Sequence, residues 1–482
     1  MVYVKYTKIY RHGAGVAMTN SKYDTIIRSG MVVTASGVTK ADIGIEAEKI
    51  AAIEQDIADE AAVEINASGL FVLPGGVDTH CHIEQVSGAG LMNSDTFESA
   101  TRSAAYGGTT TVVSFAAQHP GYKMRQVVED YAGLAEKGAL IDYAFHMIVA
   151  DTGDRNLADD IPALIAQGHR SIKIFTTYDK VRQDDEAILN ILDVAKREGA
   201  LVCFHAENDG LIRNMTAKLL AGGKTAPKYH AVSHPREAEI EAIDRMCRFA
   251  EFTNARIMIF HVSTREGAEI IRQARARGVQ VQSETCPHYL FMTVDILNSE
   301  NPARFLCSPP QRLAYDQEAL WAAISDGTIE LVTSDHAPYR LDASGKFAHG
   351  VDAPFNRIAN GMPGLETRLP LMFNAMVSEG GLGIEAFARI TATAPAQAFG
   401  LERKGKIAVG FDADIAIWDP ERIHTYGPND LHDNVGYNPF EGMTVKGAPT
   451  TVLSRGEIVV QDSLLHAEIG RGKWLKMVAL TK

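Results

Sequence analysis

The chain has 482 residues, of which 46% are hydrophobic and 22% are charged, and its formal net charge is −13 at pH 7. A chain of this length exceeds what one hydrophobic core usually supports, which predicts a large domain with a smaller partner. The acidic balance argues against nucleic acid and anionic membrane surfaces as partners. No apolar run approaches the roughly 18 residues that a membrane-spanning helix needs.

The cysteines and the N-terminal residues bear on the compartment in which the protein works. The five cysteines are odd in number, widely scattered and without a CxxC pair. This usage favours free thiols in a reducing compartment over a disulfide framework. Residues 1–22 have no apolar core or cleavage site of a signal peptide, so we interpret them as an N-terminal extension. The sequence therefore predicts a cytoplasmic protein.

Two separate stretches with the same alternating pattern of apolar and polar residues predict a small β domain. Residues 23–70 contain short alternating segments such as TIIRSGMVVTASGV, bounded by turn signals as in hairpins. The same pattern returns in residues 401–482, in GKIAVGFDADIAIWDP and TTVLSRGEIVVQD. We therefore expect one β-sandwich domain that is assembled from both ends of the chain.

Residues 71–400 have a different sequence pattern, in which short apolar or β-branched runs alternate with segments of helical periodicity. There are eight such runs: FVLPGGVDTH, TTTVVSFAAQ, IDYAFHMIVA, SIKIF, LVCFHAE, ARIMIFHVS, GVQVQSETC and IELVTSDH. A strand followed by a helix, repeated in this way, is typical of a (β/α)8 TIM-like barrel of the α/β class. A doubly wound open sheet is the main alternative, but no GxGxxG fingerprint opens a strand–helix unit.

Ionisable residues gather in five of these runs. They are His80 at the end of the first run and His82 just after it, Lys173 in the fourth, His205 in the fifth, His261 in the sixth and Asp335 in the eighth. Active sites of such barrels lie at the carboxyl ends of the strands, so we expect these side chains to meet there. Because residues i and i+2 of a strand point the same way, His80 and His82 should face one side and Cys81 the other. Each residue alone has an ordinary structural explanation, whereas the joint pattern favours a metal site.

Lys173 is the unusual member of this set. It lies between Ile172 and Ile174 in a predicted strand, where an inward ammonium is costly without a partner. Neighbouring cations would increase that cost. The spacing alone does not say how the lysine is accommodated.

Five motifs carry these residues: HCH at 80–82, SIKIF with Lys173, FHAEN with His205, FHVST with His261, and TSDHAPY with Asp335. This set resembles the amidohydrolase superfamily, and more closely the cyclic amidohydrolases of the D-hydantoinase and dihydropyrimidinase group. The resemblance runs from Tyr23 to the carboxyl end and includes CSPPQR and IANGMPG. The chain departs from the family at Cys81, where a threonine or similar residue is common. The loop after Glu84 is not assigned to a substrate, which leaves the ring substituent open.

The resemblance implies two divalent metal ions, with Zn²⁺ preferred and Mn²⁺, Co²⁺ or Ni²⁺ as alternatives. By this likeness the more buried ion would be held by His80, His82 and Asp335, and the more exposed ion by His205 and His261. Lys173 would carry a carbamate derived from CO₂, which would bridge the two ions.

The resemblance also implies a reaction, the opening of the cyclic amide bond of a hydantoin or dihydropyrimidine to give an N-carbamoyl amino acid. A hydroxide that bridges the metals would attack the ring carbonyl, with Asp335 as general base and then general acid. Tyr178 would stabilise the oxyanion, and backbone groups at Ser308 and Asn360 would bind the amide edge of the ring. The expected partner is thus a small cyclic amide, and a homotetramer is expected from the resemblance alone.

Two other functions remain open from the sequence. Related hydrolases of dihydroorotate or allantoin tend to follow the histidine pair with an arginine or asparagine, whereas this chain has Ile83 and Glu84. These residues favour an uncharged ring substituent. Some relatives that have lost metal ligands act as non-catalytic scaffolds. Since all six ligand positions here hold competent residue types, the sequence argues against that class.

Overall fold

The computed structural model describes residues 4–6, 21–88, 90–153 and 156–479. These residues form one sheet of ten strands and one of eight. The strands are β1 (Val4–Tyr6), β2 (Tyr23–Thr34), β3 (Gly37–Glu46), β4 (Lys49–Glu54), β5 (Ala61–Asn66), β6 (Phe71–Pro74), β7 (Gly76–Asp78), β8 (Thr109–Ala117), β9 (Asp142–Ile148), β10 (Ser171–Phe175), β11 (Leu201–His205), β12 (Ile257–Ile259), β13 (Val281–Thr285), β14 (Leu331–Val332), β15 (Ile415–Thr425), β16 (Thr444–Ser454), β17 (Glu457–Gln461) and β18 (Leu464–Leu465).

The α-helices of the described chain lie mostly between the strands of the eight-stranded sheet. They are α1 (Phe97–Tyr106), α2 (Met124–Gly138), α3 (Ile161–Gln167), α4 (Asp185–Glu198), α5 (Asp209–Ala221), α6 (Tyr229–Ser233), α7 (Arg236–Thr253), α8 (Arg265–Ala276), α9 (Pro287–Phe291), α10 (Ala314–Ser325), α11 (Arg368–Phe373), α12 (Ile384–Ala388) and α13 (Ala394–Ala398). Among the described residues, no helix combines the length and the apolar character needed to cross a bilayer.

The eight-stranded sheet has the topology that the sequence predicts. Its order runs from β14 through β13, β12, β11, β10, β9 and β8 to β7, and neighbouring strands are parallel. Beyond the ends of the first and last strands, His82 N donates a 2.6 Å hydrogen bond to His336 O, next to a parallel bridge between Cys81 and His336. This curled, TIM-like sheet confirms the predicted fold class.

The arginine Arg368 joins the first and last strands of this sheet inside the core. Its guanidinium donates to Val332 O of β14 at 3.0 Å and to Val77 O of β7 at 3.3 Å. Its Nε lies 3.1 Å from a carboxylate oxygen of Asp78. Because Arg368 and Asp78 are fully buried, the pair supplies polar partners where the two strands exchange few backbone hydrogen bonds.

Capping residues explain why the helices begin and end where the sequence indicates. The side chain of Asp184 accepts a hydrogen bond from Ala187 N at the start of α4, and Gly199 ends that helix with a left-handed φ of 74°. Thr264 caps α8 in the same way through Gly267 N. Such caps satisfy backbone groups that a helix leaves unpaired at its termini.

The ten-stranded sheet is mostly antiparallel and is built from both ends of the chain, as predicted. Strands β1 to β6 supply one part and β15 to β18 the other, and they meet where β6 pairs with β15. Strand β1 lies inside the predicted extension of residues 1–22, of which residues 1–3 and 7–20 lie outside the described residues. The domain boundaries at residues 22, 70 and 400 remain predictions.

One strand assignment from the sequence was wrong. We treated FVLPGGVDTH as the first barrel strand, but Phe71–Pro74 pairs with β15 and β2 in the ten-stranded sheet, and the barrel strand is only Gly76–Asp78. The chain passes from one sheet to the other at Gly75. A Cβ atom there would lie 2.2 Å from the hydroxyl oxygen of Thr110, so the close passage requires glycine.

A buried ion cluster holds the two sheets together. The amine of Lys404 lies 2.7 Å from carboxylate oxygens of both Asp142, at the start of β9, and Asp414, and 3.1 Å from Asp412. Arg455 also contacts Asp142 at 3.0 Å. Burial alone would lower the pKa of Lys404, but the three carboxylates outweigh it and raise the pKa. The lysine is therefore charged and neutralises a group of buried acids.

We predict that Lys404→Met lowers the free energy of unfolding by about 3–5 kcal/mol, because it leaves buried carboxylates without their cation. Urea denaturation measures this change. The matched control is Lys446→Met, which removes an ion pair with the exposed Glu421 and should cost less than about 1 kcal/mol. Equal effects of the two substitutions would contradict the structural role of the cluster.

Candidate active site

Two histidines and an aspartate from opposite ends of the barrel chain meet at the carboxyl ends of β7 and β14. Asp335 Oδ1 lies 3.1 Å from His80 Nε2 and 3.6 Å from His82 Nε2. The ligand-type atoms of the three residues all lie within 4.8 Å of one another, a spacing that suits one cation. Cys81 points the other way, with its Sγ 3.6 Å from Val113 O. The predicted alternation of these side chains is therefore confirmed.

His205 and His261 extend this group along the same rim. His205 is the last residue of β11, and His261 follows β12 by two positions. The centroids of their rings lie 4.5 Å apart, and the ring of His261 lies 5.4 Å from that of His80. The four histidines that the sequence singled out are thus neighbours in the structure.

Lys173 lies below these rings in the middle of β10 and is fully buried. Its amine is 4.0 Å from the ring centroid of Phe260 and 4.9 Å from that of Phe175. Burial lowers the pKa of Lys173 to about 8, although the carboxylate of Asp335 opposes that shift. The barrel interior therefore raises the fraction of uncharged amine at neutral pH above that of an exposed lysine.

Several features of these side chains fit a bound divalent cation. Lys173 Nζ and His261 Nδ1 are buried without a hydrogen-bond partner among the described residues, and such orphaned atoms call for an explanation. Burial lowers the pKa of His80, His205 and His261. It thereby favours neutral imidazole, which is the form that binds metals. Imidazole nitrogens with a carboxylate are also the ligand types that zinc takes.

Three residues behind the histidines fix the orientation of the rings. Glu284, at the end of β13, makes a short hydrogen bond with His80 Nδ1. Gln85 Oε1 lies 2.7 Å from His82 Nδ1, and Glu207 Oε2 lies 2.7 Å from His205 Nε2. Partners of this kind set which nitrogen faces a metal.

Glu284 and Gln85 were missed by the sequence analysis. Glu284 carried a usable signal, because an acid near the carboxyl end of a buried barrel strand has few other places to find a partner. Gln85 carried none, since a glutamine in a polar loop looks like any exposed residue.

Three of the candidate residues have a left-handed backbone, which non-glycine residues rarely adopt. The φ angles are 72° at Tyr178, 42° at His261 and 47° at Asp335. Each such residue costs on the order of 1–3 kcal/mol and persists only where its surroundings hold it. The rest of the structure therefore compensates for strain that is concentrated at this rim.

Tyr178, Ser308 and Asn360, which the resemblance links to the substrate, lie together beside the histidines. The ring of Tyr178 is 5.3 Å from that of His205, and Asn360 Nδ2 donates to Ser308 Oγ at 3.1 Å. Burial raises the pKa of Tyr178, while hydrogen bonds with Ser308 and Asn360 oppose the rise. The phenol therefore stays protonated and can donate a hydrogen bond.

A second group with metal-ligand character, formed by Asp95, His336 and Asp433, lies next to Asp335. Its histidine is already engaged at both nitrogens. Gly364 N donates to His336 Nδ1 at 3.1 Å, and His336 Nε2 lies 3.0 Å from Asp95 Oδ2. With Nδ1 as acceptor, neutral His336 carries its proton on Nε2 and donates it to Asp95. This group is therefore a support for the rim rather than a free cation site.

Comparison with known proteins relates this site to a large enzyme family. The model of the amidohydrolase family matches residues 71–459. The D-hydantoinase of Ralstonia pickettii is 40% identical over 459 residues, which cover 94% of this chain and 98% of the relative. A D-phenylhydantoinase of Escherichia coli O1:K1 / APEC is 38% identical over 455 residues, covering 94% of this chain and 97% of the relative.

A solved structure gives the same result for the fold. The crystal structure of dihydropyrimidinase from Brevibacillus agri NCHU1002 superposes with a TM-score of 0.92 at 37% identity, and the match covers 95% of this chain and 99% of that one. The similarity therefore extends over both sheets.

We predict that Glu284→Gln weakens metal binding by roughly tenfold or more, because it replaces the carboxyl group that is hydrogen-bonded to His80 Nδ1 and orients that ring. Titration against a chromophoric chelator measures the affinity, and elemental analysis of the parent protein should find close to two divalent ions per chain. Glu269→Gln, on the outer face of α8, serves as the control. Wild-type affinity in the Glu284 variant would contradict its role, and metal-free active protein would exclude the metal centre.

Proposed function

Because the chain belongs to the amidohydrolase family, we propose that it hydrolyses the ring amide of a hydantoin or dihydropyrimidine to an N-carbamoyl amino acid. The observation that carries this proposal is the convergence of five ligand-type side chains at one rim of the barrel, near the buried Lys173 and with Tyr178, Ser308 and Asn360 beside them. The D-hydantoinase and dihydropyrimidinase relatives named above support the choice of a cyclic amide as the substrate.

The ligand-type residues divide into two groups. His80, His82 and Asp335 would hold one divalent ion, and His205 and His261 the other, with Zn²⁺ as the preferred metal. Bound metal ions would supply Lewis acidity, which polarises a carbonyl and lowers the pKa of water.

Lys173 would complete the centre as a carbamate between the two groups. The uncharged amine, whose fraction burial increases, attacks the carbon of CO₂ and then loses a proton. The product is an anion with two oxygens in place of an orphaned amine, which suits a position among cation ligands. This step would also remove the cost of an unpaired buried amine.

Asp335 would move the proton during ring opening. Its Oδ1, at the centre of the histidine group, accepts a proton from the attacking water and later delivers it to the departing ring nitrogen. The left-handed backbone at this residue fixes the direction of the carboxylate. The same group thus acts as base and then as acid.

Tyr178, Ser308 and Asn360 would orient the ring and stabilise the reaction. The protonated phenol of Tyr178 would donate to the oxygen that develops negative charge. Backbone groups at Ser308 and Asn360 would bind the amide edge of the ring, which fixes the carbonyl relative to Asp335.

Hydrolysis of allantoin or dihydroorotate is the second candidate, and two positions argue against it. Ile83 is fully buried, and a carboxylate oxygen of Glu84 accepts a hydrogen bond from Phe97 N at the start of α1. Neither side chain is placed to bind a charged substituent. A non-catalytic scaffold is disfavoured because the ligand-type residues are present and converge. The homotetramer and the cytoplasmic location remain predictions.

We predict that Lys173→Ala abolishes activity, because it removes the bridging anion, and that short carboxylic acids such as acetate or propionate restore part of it. Steady-state kinetics with and without added acid test this. Lys218→Ala, an exposed substitution on α5, should keep full activity. Full activity in the Lys173 variant would reject the bridging role.

A substrate panel decides between the candidate functions. We expect the metal-replete protein to open the rings of 5-substituted hydantoins and of dihydrouracil. Chromatography of the products measures this activity. Asp335→Asn should lower kcat by about 10²- to 10⁴-fold on the same substrates, since it removes the proton acceptor. Turnover of dihydroorotate or allantoin alone would favour the second candidate.

A further inference from the structure

Lys346 is a fully buried lysine whose partners are backbone carbonyl groups. It lies in the turn that follows the last barrel strand, where its own N–H donates to Arg340 O at 2.8 Å and Phe347 N donates to Asp342 O at 3.0 Å. In the part of the chain that the structure describes, no carboxylate pairs with its amine. A tight surface turn thus directs a lysine side chain into the protein, which calls for a specific reason.

The amine of Lys346 joins two segments that the proposed function uses. It donates to Ala359 O at 2.8 Å, and it makes a longer contact of 3.5 Å with Leu306 O. Ala359 precedes Asn360, and Leu306 lies two residues before Ser308. The lysine therefore contacts the backbone of both segments that would bind the ring, one or two residues before Asn360 and Ser308.

Other hydrogen bonds fix the same two segments to each other. Gly361 N donates to Leu306 O at 2.8 Å, and Asn360 Nδ2 donates to Ser308 Oγ at 3.1 Å. His230 Nε2 donates to Cys307 O at 2.8 Å. The carbonyl groups of Leu306, Cys307 and Ala359 are therefore satisfied within the protein, so the backbone direction at Ser308 and Asn360 is set by these bonds.

Hydrogen bonding rather than charge is what the amine contributes. Burial lowers the pKa of Lys346 to about 7. Its Nζ retains N–H donors in both protonation states, so the bond to Ala359 O does not require the ammonium form. An uncharged donor of suitable length should therefore replace part of its effect.

We propose that Lys346 is a positioning residue that fixes the Leu306–Ser308 and Ala359–Gly361 segments in the arrangement that binds the ring amide. This inference rests on the proposed function, because it gives these segments their substrate. Lys346 does not touch the reacting atoms and acts through the backbone on either side of it. Its loss should thus weaken substrate binding while the histidine rim and its metal content stay intact.

Kinetics of Lys346→Met test the role in binding. We expect KM for a ring substrate to rise by roughly tenfold, with kcat within about threefold of the parent, because an interaction shared by the ground and transition states is lost. The matched control is Lys196→Met, since Lys196 also donates to a backbone carbonyl, Thr253 O, but on the outer helices. It should leave both constants unchanged. Lys346→Gln, a shorter side chain that keeps N–H donors, should give an intermediate KM.

Amide hydrogen exchange tests the anchoring without any substrate. Peptides that cover residues 304–310 and 357–363 should exchange faster in Lys346→Met than in the parent and in Lys196→Met, whereas elemental analysis should find the same metal content in all three. If Lys346→Met does not fold, Lys346→Gln decides the question with the same measurements. Parent-like KM and exchange in that variant would overturn the proposal.

The results that reject the inference differ from those that reject the proposed function. Wild-type protein that opens no ring amide would reject the proposed function. Wild-type turnover together with an unchanged KM or unchanged exchange in Lys346→Met would reject the inference alone. A fall of kcat together with loss of metal would also reject it, because the lysine would then support the fold as a whole.

Discussion

The amine of Lys173 is buried inside the barrel, against the aromatic ring of Phe260. It has no hydrogen-bond partner among the described residues. A group of this kind is costly in a low-dielectric interior, and burial moves it towards its uncharged form. The same environment keeps His80, His205 and His261 neutral. The interior of the barrel thus holds basic nitrogen atoms in a fixed arrangement, and the proposed metal centre depends on that arrangement.

A buried amine surrounded by histidines requires rigid surroundings. In this structure, three sets of buried polar contacts provide that rigidity. Arg368 bonds to both β7 and β14, so the rim cannot open between His80 and Asp335 without breaking buried polar contacts. Glu284 supports His80 from the neighbouring strand. The cluster around Lys404 ties the start of β9 to the second sheet. The strained backbone at Asp335 is compatible with a stable fold because these contacts determine the position of its strand.

The sequence predicted the parts of this structure that depend on local periodicity. The barrel strands are buried on both faces, so they stand out as apolar runs, and helices such as α4 carry their own capping residues. The four histidines and Asp335 could be predicted to meet because each lies at or just beyond the carboxyl end of its strand, whereas Lys173 lies in the middle of β10. The pairing of Glu284 in β13 with His80 was not predicted, since the two residues are 204 positions apart and no local pattern links them. The division of FVLPGGVDTH between two sheets also has no periodic signal, because both halves are short and apolar.

In the proposed function, catalysis and recognition use different parts of the chain. The histidines and Asp335 lie at strand ends, where the sheet fixes them, whereas Ser308 and Asn360 belong to loops with no regular hydrogen-bond ladder. Loops of this kind are mobile unless other groups bind their backbone. Here the side chains of Lys346 and His230 and the backbone N–H of Gly361 supply those bonds. Lys346 and His230 contact the loop backbone and not the four histidines, so the arrangement of these loops is set by contacts other than those that orient the histidine rings.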